Sequence, residues 1–277
     1  MTRVSLRALV ETLARERWAA VDRLRVRIEV SQEQPARIFL LPTAGEWLEI
    51  VHSCLGAPLP CPECEAFAAI SSHRSVAVGP RSAPTHAHDG DPLLALAAFV
   101  TAFHLRPRRV VETGVARGVT TAAILAALAR LGGGHLWSVD LPPLSREWAG
   151  RVAEAVPFGL RDRWTYLRGT SRRHLPGLIS ELGELDMFVH DSLHTEANIR
   201  MELGLAWRAL RPGGVVIADD IQSSPAFVDL SRDASPLRSV GIENRMLVVG
   251  EPSKPGAAFG LLVKPAVDWY GAENRAG

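Results

Sequence analysis

Seven short apolar runs set the rhythm of the chain beyond residue 108. Five are rich in β-branched residues: Arg109–Glu112, His135–Asp140, Trp164–Arg168, Leu185–His190 and Gly214–Asp219. Longer segments with helical spacing separate them, at Val119–Leu131, Arg146–Val156, Arg172–Leu182 and Glu196–Leu210. Strand and helix in strict alternation predict βαβ crossovers and an α/β fold, with a doubly wound, mostly parallel sheet covered on both faces. The last two runs, Arg245–Val249 and Ala258–Val263, have a Pro/Gly turn between them and no helix. They predict an antiparallel hairpin at the sheet edge. Gly79-Pro80, Pro84, Gly90 and Pro92 mark a boundary. Residues 1–84 then form a small N-terminal α+β region and residues 85–277 the main domain. The N-terminal part has a helical pattern through Leu6, Leu9, Val10, Leu13, Trp18 and Val21. A strand-like alternation follows at Val26, Ile28 and Val30, then apolar runs at Ile38–Leu41 and Trp47–Val51.

Composition narrows the class. The chain has 277 residues, is 47% hydrophobic and 22% charged, and so can bury a core without disulfide staples. Its 31 basic and 30 acidic residues leave a net charge of +1, which gives no broad electrostatic grip on nucleic acid or an anionic membrane. No apolar stretch is long enough to span a bilayer. Residues 1–28 have no continuous apolar core and carry Glu11, Glu16 and Asp22, so the expected location is cytoplasmic.

Chemistry concentrates at the carboxyl ends of the expected strands. The first strand leaves through Glu112-Thr113-Gly114-Val115-Ala116-Arg117-Gly118-Val119-Thr120. Glycines in such a turn let backbone approach a ligand closely. The second strand ends at Asp140, 28 residues after Glu112, where a carboxylate can accept both ribose hydroxyls of an adenosine group. The spacing is E-x-G-x-x-x-G, not the G-x-G-x-x-G of dinucleotide sites. An acid ahead of the glycines suits a ligand with a positive centre better than a pyrophosphate. A glycine-rich turn without a ligand is the bland alternative. After the third strand, Gly169-Thr170-Ser171 offers either a ligand contact at Ser171 or a helix N-cap.

The fourth strand ends in His190-Asp191-Ser192-Leu193-His194 and the fifth in Ala218-Asp219-Asp220. Three carboxylates at one rim repel each other unless a cation neutralises them or some are protonated. Oxygen donors favour a hard ion, Mg²⁺ first, with Mn²⁺ or Ca²⁺ as alternatives. Each acid could instead cap a helix, although adjacent Asp219 and Asp220 cannot share one cap. His190, inside the strand, reads as a packed or hydrogen-bonded core histidine.

The Glu112–Gly118 turn resembles motif I of the class I S-adenosylmethionine-dependent methyltransferases, and Asp140 matches their second acidic position. The resemblance runs over about residues 90–265. It implies the seven-stranded Rossmann-like sheet of that family with its antiparallel C-terminal hairpin. It also implies S-adenosylmethionine as cofactor, held by Glu112, Thr113, Gly114, Gly118, Thr120, Asp140, Ser171 and Asp191. The rim acids resemble those of metal-dependent O-methyltransferases of the catechol and macrolide-sugar types. That likeness implies Asp191, Asp219 and Asp220 as ligands of Mg²⁺ or another divalent cation. It also implies His194, three positions after Asp191, as general base, with Asp191 sharing the catalytic role. The expected partner is a small hydroxylated acceptor: a sugar, diol, catechol or glycosylated natural product. Metal-independent methyl transfer, or a non-catalytic protein keeping the fold, are the alternatives.

Two further features stand apart. Cys54, Cys61 and Cys64 fall within eleven residues, with His52 just before them. They read either as a reduced cysteine cluster or as a zinc site at Cys54, Cys61 and Cys64 with His52. The stretch Thr85-His86-Ala87-His88 precedes the first main-domain helix and reads as a solvated loop that could also fold over the cofactor. The N-terminal region is read as an acceptor lid or as a contact between copies of the chain in a homo-oligomer. With the segment Gln222–Glu243 it is expected to build the acceptor pocket.

Overall fold

The computed structural model describes residues 18, 21–23, 25, 47–74, 92–141, 149–233, 238–243, 247–248, 251–252 and 258–265. The expected strand runs at Val26–Val30 and Ile38–Leu41, the His86/His88 stretch and the boundary at 84/85 lie outside these residues.

Three helices come first: α1 (Trp47–Leu55), α2 (Pro62–Arg74) and α3 (Pro92–Leu105). The apolar run at Trp47–Val51 is thus helical. Then follow β1 (Arg109–Thr113), α4 (Val119–Leu131), β2 (His135–Asp140), β3 (Trp164–Arg168), α5 (Ser171–Leu182), β4 (Leu185–His190), α6 (Glu196–Ala209) and β5 (Leu210–Ala218). The chain closes with α7 (Ala226–Asp233), β6 (Arg238–Glu243) and β7 (Ala258–Val263). The seven strands form one sheet in the order β3-β2-β1-β4-β5-β7-β6. Strands β1 to β5 run parallel, and β7 pairs antiparallel with both β5 and β6. This is the doubly wound α/β architecture expected from the sequence.

The pleat sorts side chains cleanly onto two faces. Val110, Leu136, Met187, Val189, Val215, Ile217 and Leu261 enter one core, beneath α1, α3 and α4. Val111, Val139, Phe188, Val216, Ala218 and Leu262 enter the other, beneath α5 and α6. Burial on both faces explains why these strands are continuously apolar rather than alternating. Helix α3 is apolar all round, and Leu93 through Ala102 are buried. It lies between the sheet and the helices before it, and Phe99 stacks on Phe67 of α2 with ring centroids 3.7 Å apart. Val51, Cys54, Cys61 and Cys64 belong to the same core. Among the described residues no helix is long and apolar enough to cross a membrane.

Two local expectations give way. The segment expected as a helix through Val156 forms turns between Gly150 and Val156. Its backbone is diverted: the amides of Ala153 and Ala155 donate to the carbonyls of Ala116 and Arg117, and Ala153 takes a positive φ of 59°. Those donors are lost to an α-helical ladder. The C-terminal pairing is also shifted. The partner of Ala258–Val263 is Arg238–Glu243, not Arg245–Val249. Leu247–Val248 instead pairs with Glu251–Pro252 in a separate two-residue ladder. Arg238–Glu243 contains Ser239 and Gly241 between its apolar positions, which hides its strand character.

Phe99 is fully buried at the junction of α2, α3 and the sheet. Phe99→Ala should lower unfolding free energy by about 3–5 kcal/mol, from lost transfer energy and the cavity left behind. Equilibrium urea denaturation measures this. A loss under about 1 kcal/mol would contradict the core position assigned to it.

Candidate functional site at the strand ends

Backbone hydrogen bonds draw the strand exits into one row. The amide of Gly169 donates to Asp140, that of Gly114 to Val139, that of Asp191 to Thr113, and that of Asp219 to His190, each at 2.8 Å. The residue leaving each strand is thereby bonded across to the end of its neighbour. In a parallel sheet this places Asp140, the 113–118 turn, Asp191 and Asp219 side by side along the carboxyl edge, where open α/β sheets bind ligands.

The turn after β1 needs its glycines. Gly114 has φ +87°, and a Cβ there would lie 1.8 Å from the carbonyl oxygen of Asp191. Gly118 has φ +84°, and its Cβ would press on Val156 and Ala153. Ala116 between them is also left-handed, at φ 44°. For an L-residue that conformation costs about 1–2 kcal/mol. The bonds from Ala153 and Ala155 to the turn's carbonyls, and the ion pair of Arg117 with Glu154, hold it in place.

Glu112 sits beneath this turn, completely buried. Its Oε2 accepts hydrogen bonds from Thr121 of α4 at 2.7 Å and Ser138 of β2 at 2.6 Å. Burial, reinforced by nearby Asp140 and opposed by the two hydroxyls, pushes its carboxyl up to about 7. Thr120, in the first turn of α4, is buried with a hydroxyl that has no hydrogen-bond partner among the described residues. Asp140 is half-buried at the exit of β2. Arg23 and Tyr166 lie close enough to feel its charge, and Arg23 also donates to the carbonyl of Leu141 at 3.3 Å. Asp22, in the same helical stretch as Arg23, accepts from Arg173 at 2.9 Å and from Thr170 at 3.2 Å. Ser171 does not cap α5, because Thr170 occupies the N-cap position. The Ser171 hydroxyl donates to Asn198 instead, at 3.3 Å.

The acids after β4 and β5 converge. Asp191, His194 and Asp219 each offer a ligand atom, and the three atoms lie within 4.8 Å of one another. His194 Nδ1 lies 2.7 Å from Asp220 Oδ2, while its Nε2 is 3.9 Å from Asp191 Oδ1. Asp220, in the left-handed region at φ 48°, also accepts from Gln222 Nε2 at 2.9 Å. Both Asp220 oxygens are therefore engaged with side chains. The helix-cap alternatives fall away here. Thr195 caps α6 by accepting from the Asn198 amide, and Ser224 accepts from the Ala226 amide ahead of α7.

One group of site residues was not anticipated. Glu202 of α6 is fully buried and accepts from Thr113, from Ser192 at 2.7 Å and from Asn198 at 2.8 Å. His190 Nδ1 lies 2.6 Å from its Oε2, which makes His190 a hydrogen-bonded core histidine as expected. Burial alone would raise the Glu202 carboxyl, but attraction to His190 and the hydrogen bonds outweigh it and hold it at about 2. A signal existed: Asn198 and Glu202 sit on the helix face that carries buried Ile199, Leu203 and Ala206, where polar residues need partners.

Residues 111–221 match the family model of a methyltransferase domain. The span covers the turn, Asp140, Asp191, His194, Asp219 and Asp220. No curated protein matches the chain. Among solved structures, cofactor-bound Rv0187 from MTB has a TM-score of 0.50 and 18% identity, over 82% of this chain and 100% of that one. The O-methyltransferase from Bacillus cereus in complex with SAH gives 0.48 and 17%, over 79% and 98%. The O-methyltransferase TomG from Streptomyces achromogenes, involved in tomaymycin synthesis and solved with SAM, gives 0.43 and 17%, over 90% and 98%. Residues 111–221 thus match a methyltransferase domain, and the chain shares the fold of cofactor-bound Rv0187.

The raised Glu112 carboxyl has a defined consequence. The folded state holds a proton there that the unfolded chain releases near 4.5, so the contribution of this group to stability is fully present below that pH and is lost as pH rises through about 7. Glu112→Gln should flatten this fall, gaining thermal stability relative to the parent at pH 8 more than at pH 5. Melting curves across that range test it. Parallel pH profiles for the two proteins would contradict the assignment.

Proposed function

We propose that the chain is an S-adenosylmethionine-dependent O-methyltransferase that alkylates a hydroxyl of a small metabolite, such as a sugar, diol, catechol or glycosylated natural product. A divalent cation, Mg²⁺ or a near relative, assists it. The observation that carries this reading is the meeting of Asp191, His194 and Asp219 beside the 113–118 turn, with His194 held by Asp220.

The donor set fits the groups invoked. Two carboxylates with an imidazole alongside suit a hard to borderline divalent ion. The half-buried Asp140 suits ribose hydroxyls, and the unpartnered Thr120 hydroxyl is available to a ligand at the turn. When bound, S-adenosylmethionine supplies a methyl group activated by its sulfonium. A bound cation supplies the charge that makes an aliphatic hydroxyl more acidic and fixes its position.

The remaining work belongs to the chain. Asp140 receives the ribose at the end of β2. Glu112 secures the turn through Thr121 and Ser138, which both donate to Oε2, while among the described residues its Oε1 has no hydrogen-bond partner. Gly114 and Gly118 let that backbone lie close to Asp191 and to residues 153–156. Asp191 and Asp219 would hold the ion. Asp220 accepts from Nδ1 of His194, which fixes the ring and leaves Nε2 as the atom that takes the acceptor proton. Ser171, engaged with Asn198, borders the adenine side of the cofactor. Orientation of two reactants in one site can itself contribute several kcal/mol.

The Asp220–His194 pair also supports a second reading, metal-independent transfer with that pair as the whole proton acceptor. Methyl transfer from radiolabelled S-adenosylmethionine to catechol and to a vicinal-diol sugar separates the two. On the first reading, exhaustive chelation abolishes transfer and Mg²⁺ restores it; undiminished turnover without a cation selects the second. Asp191→Asn should cut turnover by a factor of about 100 or more while cofactor affinity changes little. Asp140→Ala should weaken cofactor binding roughly 10- to 100-fold, the loss expected for charge-assisted hydrogen bonds. Calorimetric titration with S-adenosylhomocysteine reads the second effect. Equal loss of binding in both variants would overturn the assigned roles.

A further inference from the structure

A second cluster of ligating side chains lies at the opposite edge of the sheet. His52 is in the last turn of α1, Cys61 just precedes α2, Cys64 is in its first turn, and His104 is in the last turn of α3. Helix α3 ends at Leu105 and β1 starts at Arg109, so His104 lies beside the entry of β1, away from the rim where β1 ends. Each of the four residues offers one donor atom, and the four atoms lie within 4.8 Å of one another. Cys64 Sγ and His104 Nε2 are 3.4 Å apart. The His52 and His104 rings meet at 71° with centroids 4.6 Å apart. With Zn–S near 2.3 Å and Zn–N near 2.0–2.1 Å, tetrahedral ligands stand roughly 3.3–3.8 Å from one another. The cluster therefore needs at most about 1.5 Å of contraction in any ligand pair to close on an ion.

His52 supplies the independent observation. It is wholly inaccessible to solvent. Its Nδ1 lies 2.9 Å from the carbonyl oxygen of Pro58. A carbonyl can only accept, so Nδ1 carries the proton and Nε2 presents a bare lone pair. Among the described residues that buried Nε2 has no hydrogen-bond partner. Leaving such an acceptor unsatisfied costs about 1–3 kcal/mol. Metal-binding histidines are oriented in this way, with one ring nitrogen donating to a backbone carbonyl and the other facing the ion. A disulfide between Cys61 and Cys64 would account for the C-x-x-C spacing but not for the stranded nitrogen.

We propose that His52, Cys61, Cys64 and His104 form a structural zinc site. Two sulfurs and two imidazoles in a tetrahedral array select zinc over the hard ion proposed for the rim. The protein supplies all four ligands and leaves no position open for substrate, which is the signature of a structural site. Binding replaces the thiol protons of Cys61 and Cys64 with the metal and releases them to solvent. The ion joins α1 and α2 to the end of α3, the helix buried against the sheet. Cys54, placed in this group by its sequence proximity, is buried in the same core but is not one of the four. His104, forty residues beyond Cys64, takes its place.

Metal analysis of the full chain purified with zinc should find one equivalent per chain, retained in Cys54→Ser and reduced at least tenfold in Cys61→Ser and His104→Gln. Cobalt exchanged into the parent protein should give the intense visible bands of a tetrahedral ion with a thiolate charge-transfer band, and His104→Gln should alter them. Should the variants fail to fold, alkylation of the parent decides: zinc should protect Cys61 and Cys64 from iodoacetamide. A parent protein that keeps no zinc on dialysis, a six-coordinate cobalt spectrum without the thiolate band, alkylation indifferent to zinc, or a native Cys61–Cys64 disulfide would each overturn the proposal. None of these readouts depends on methyl transfer.

Discussion

The carboxylate of Glu202 is the fixed point of the catalytic rim. One side chain reaches Thr113 at the end of β1, His190 at the end of β4, Ser192 in the loop beyond it and Asn198 a turn earlier in its own helix. Between Ser192 and Asn198 the chain carries His194, and one residue before Ser192 it carries Asp191. Asn198 strengthens the hold by donating to the Leu193 carbonyl at 2.9 Å. The loop that presents the two proposed reacting groups is thus tied at both ends to a buried anion. A charge in such a place is costly unless every oxygen is occupied, and here both are. The cost is offset by rigidity where rigidity has a use. Positioning that tolerates little displacement is the condition for orienting two reactants.

Two buried acids, one on β1 and one on α6, behave in opposite ways. Glu202 faces His190 and hydrogen-bond donors, and its carboxyl is held down near 2. Glu112 faces only two hydroxyls, has the Asp140 charge nearby, and is pushed up to about 7. Burial acts upward on both; the difference is the partner. The same logic applies to the carboxylates in front of them. Asp191, Asp219 and Asp220 crowd the exits of β4 and β5, and His194 is the basic side chain among them. A histidine is a partial counterweight to three acids. A cation between Asp191 and Asp219 would complete the balance.

The sequence made the rim legible because rim chemistry is local. A strand that ends in an acid announces both its end and its charge, and Asp140, Asp191, Asp219 and Asp220 were all visible on that ground. The glycine spacing after Glu112 likewise carries its own backbone requirement. What escaped was set by contacts distant in sequence. The role of Asp220 depends on His194, in the loop after β4. The turn at residues 150–156 depends on carbonyls of Ala116 and Arg117, which helical periodicity does not know about. The edge strand Arg238–Glu243 was concealed because Ser239 and Gly241 dilute its pattern, while the more apolar stretch at Arg245–Val249 drew attention to itself. Glu202 and Asn198 could have been found by asking why two polar residues share a face with Ile199, Leu203 and Ala206.

Helix α3 connects the two ends of the molecule. It runs beneath β4 and β5 and ends beside His52 and Cys64 before the chain turns into β1. A helix apolar on every side has little to fix its rotation or its depth, since many packings bury it about equally well. Aromatic stacking of Phe99 on Phe67 supplies some of that definition. A directional bond at its carboxyl end would supply more, because four ligands about one ion admit a single geometry. The position of β1 follows from that of α3 through three intervening residues, and the 113–118 turn follows from β1. An ion far from the reacting atoms would in this way set the register of the strand on which Glu112, Thr113 and Gly114 are carried, without taking part in the chemistry they serve.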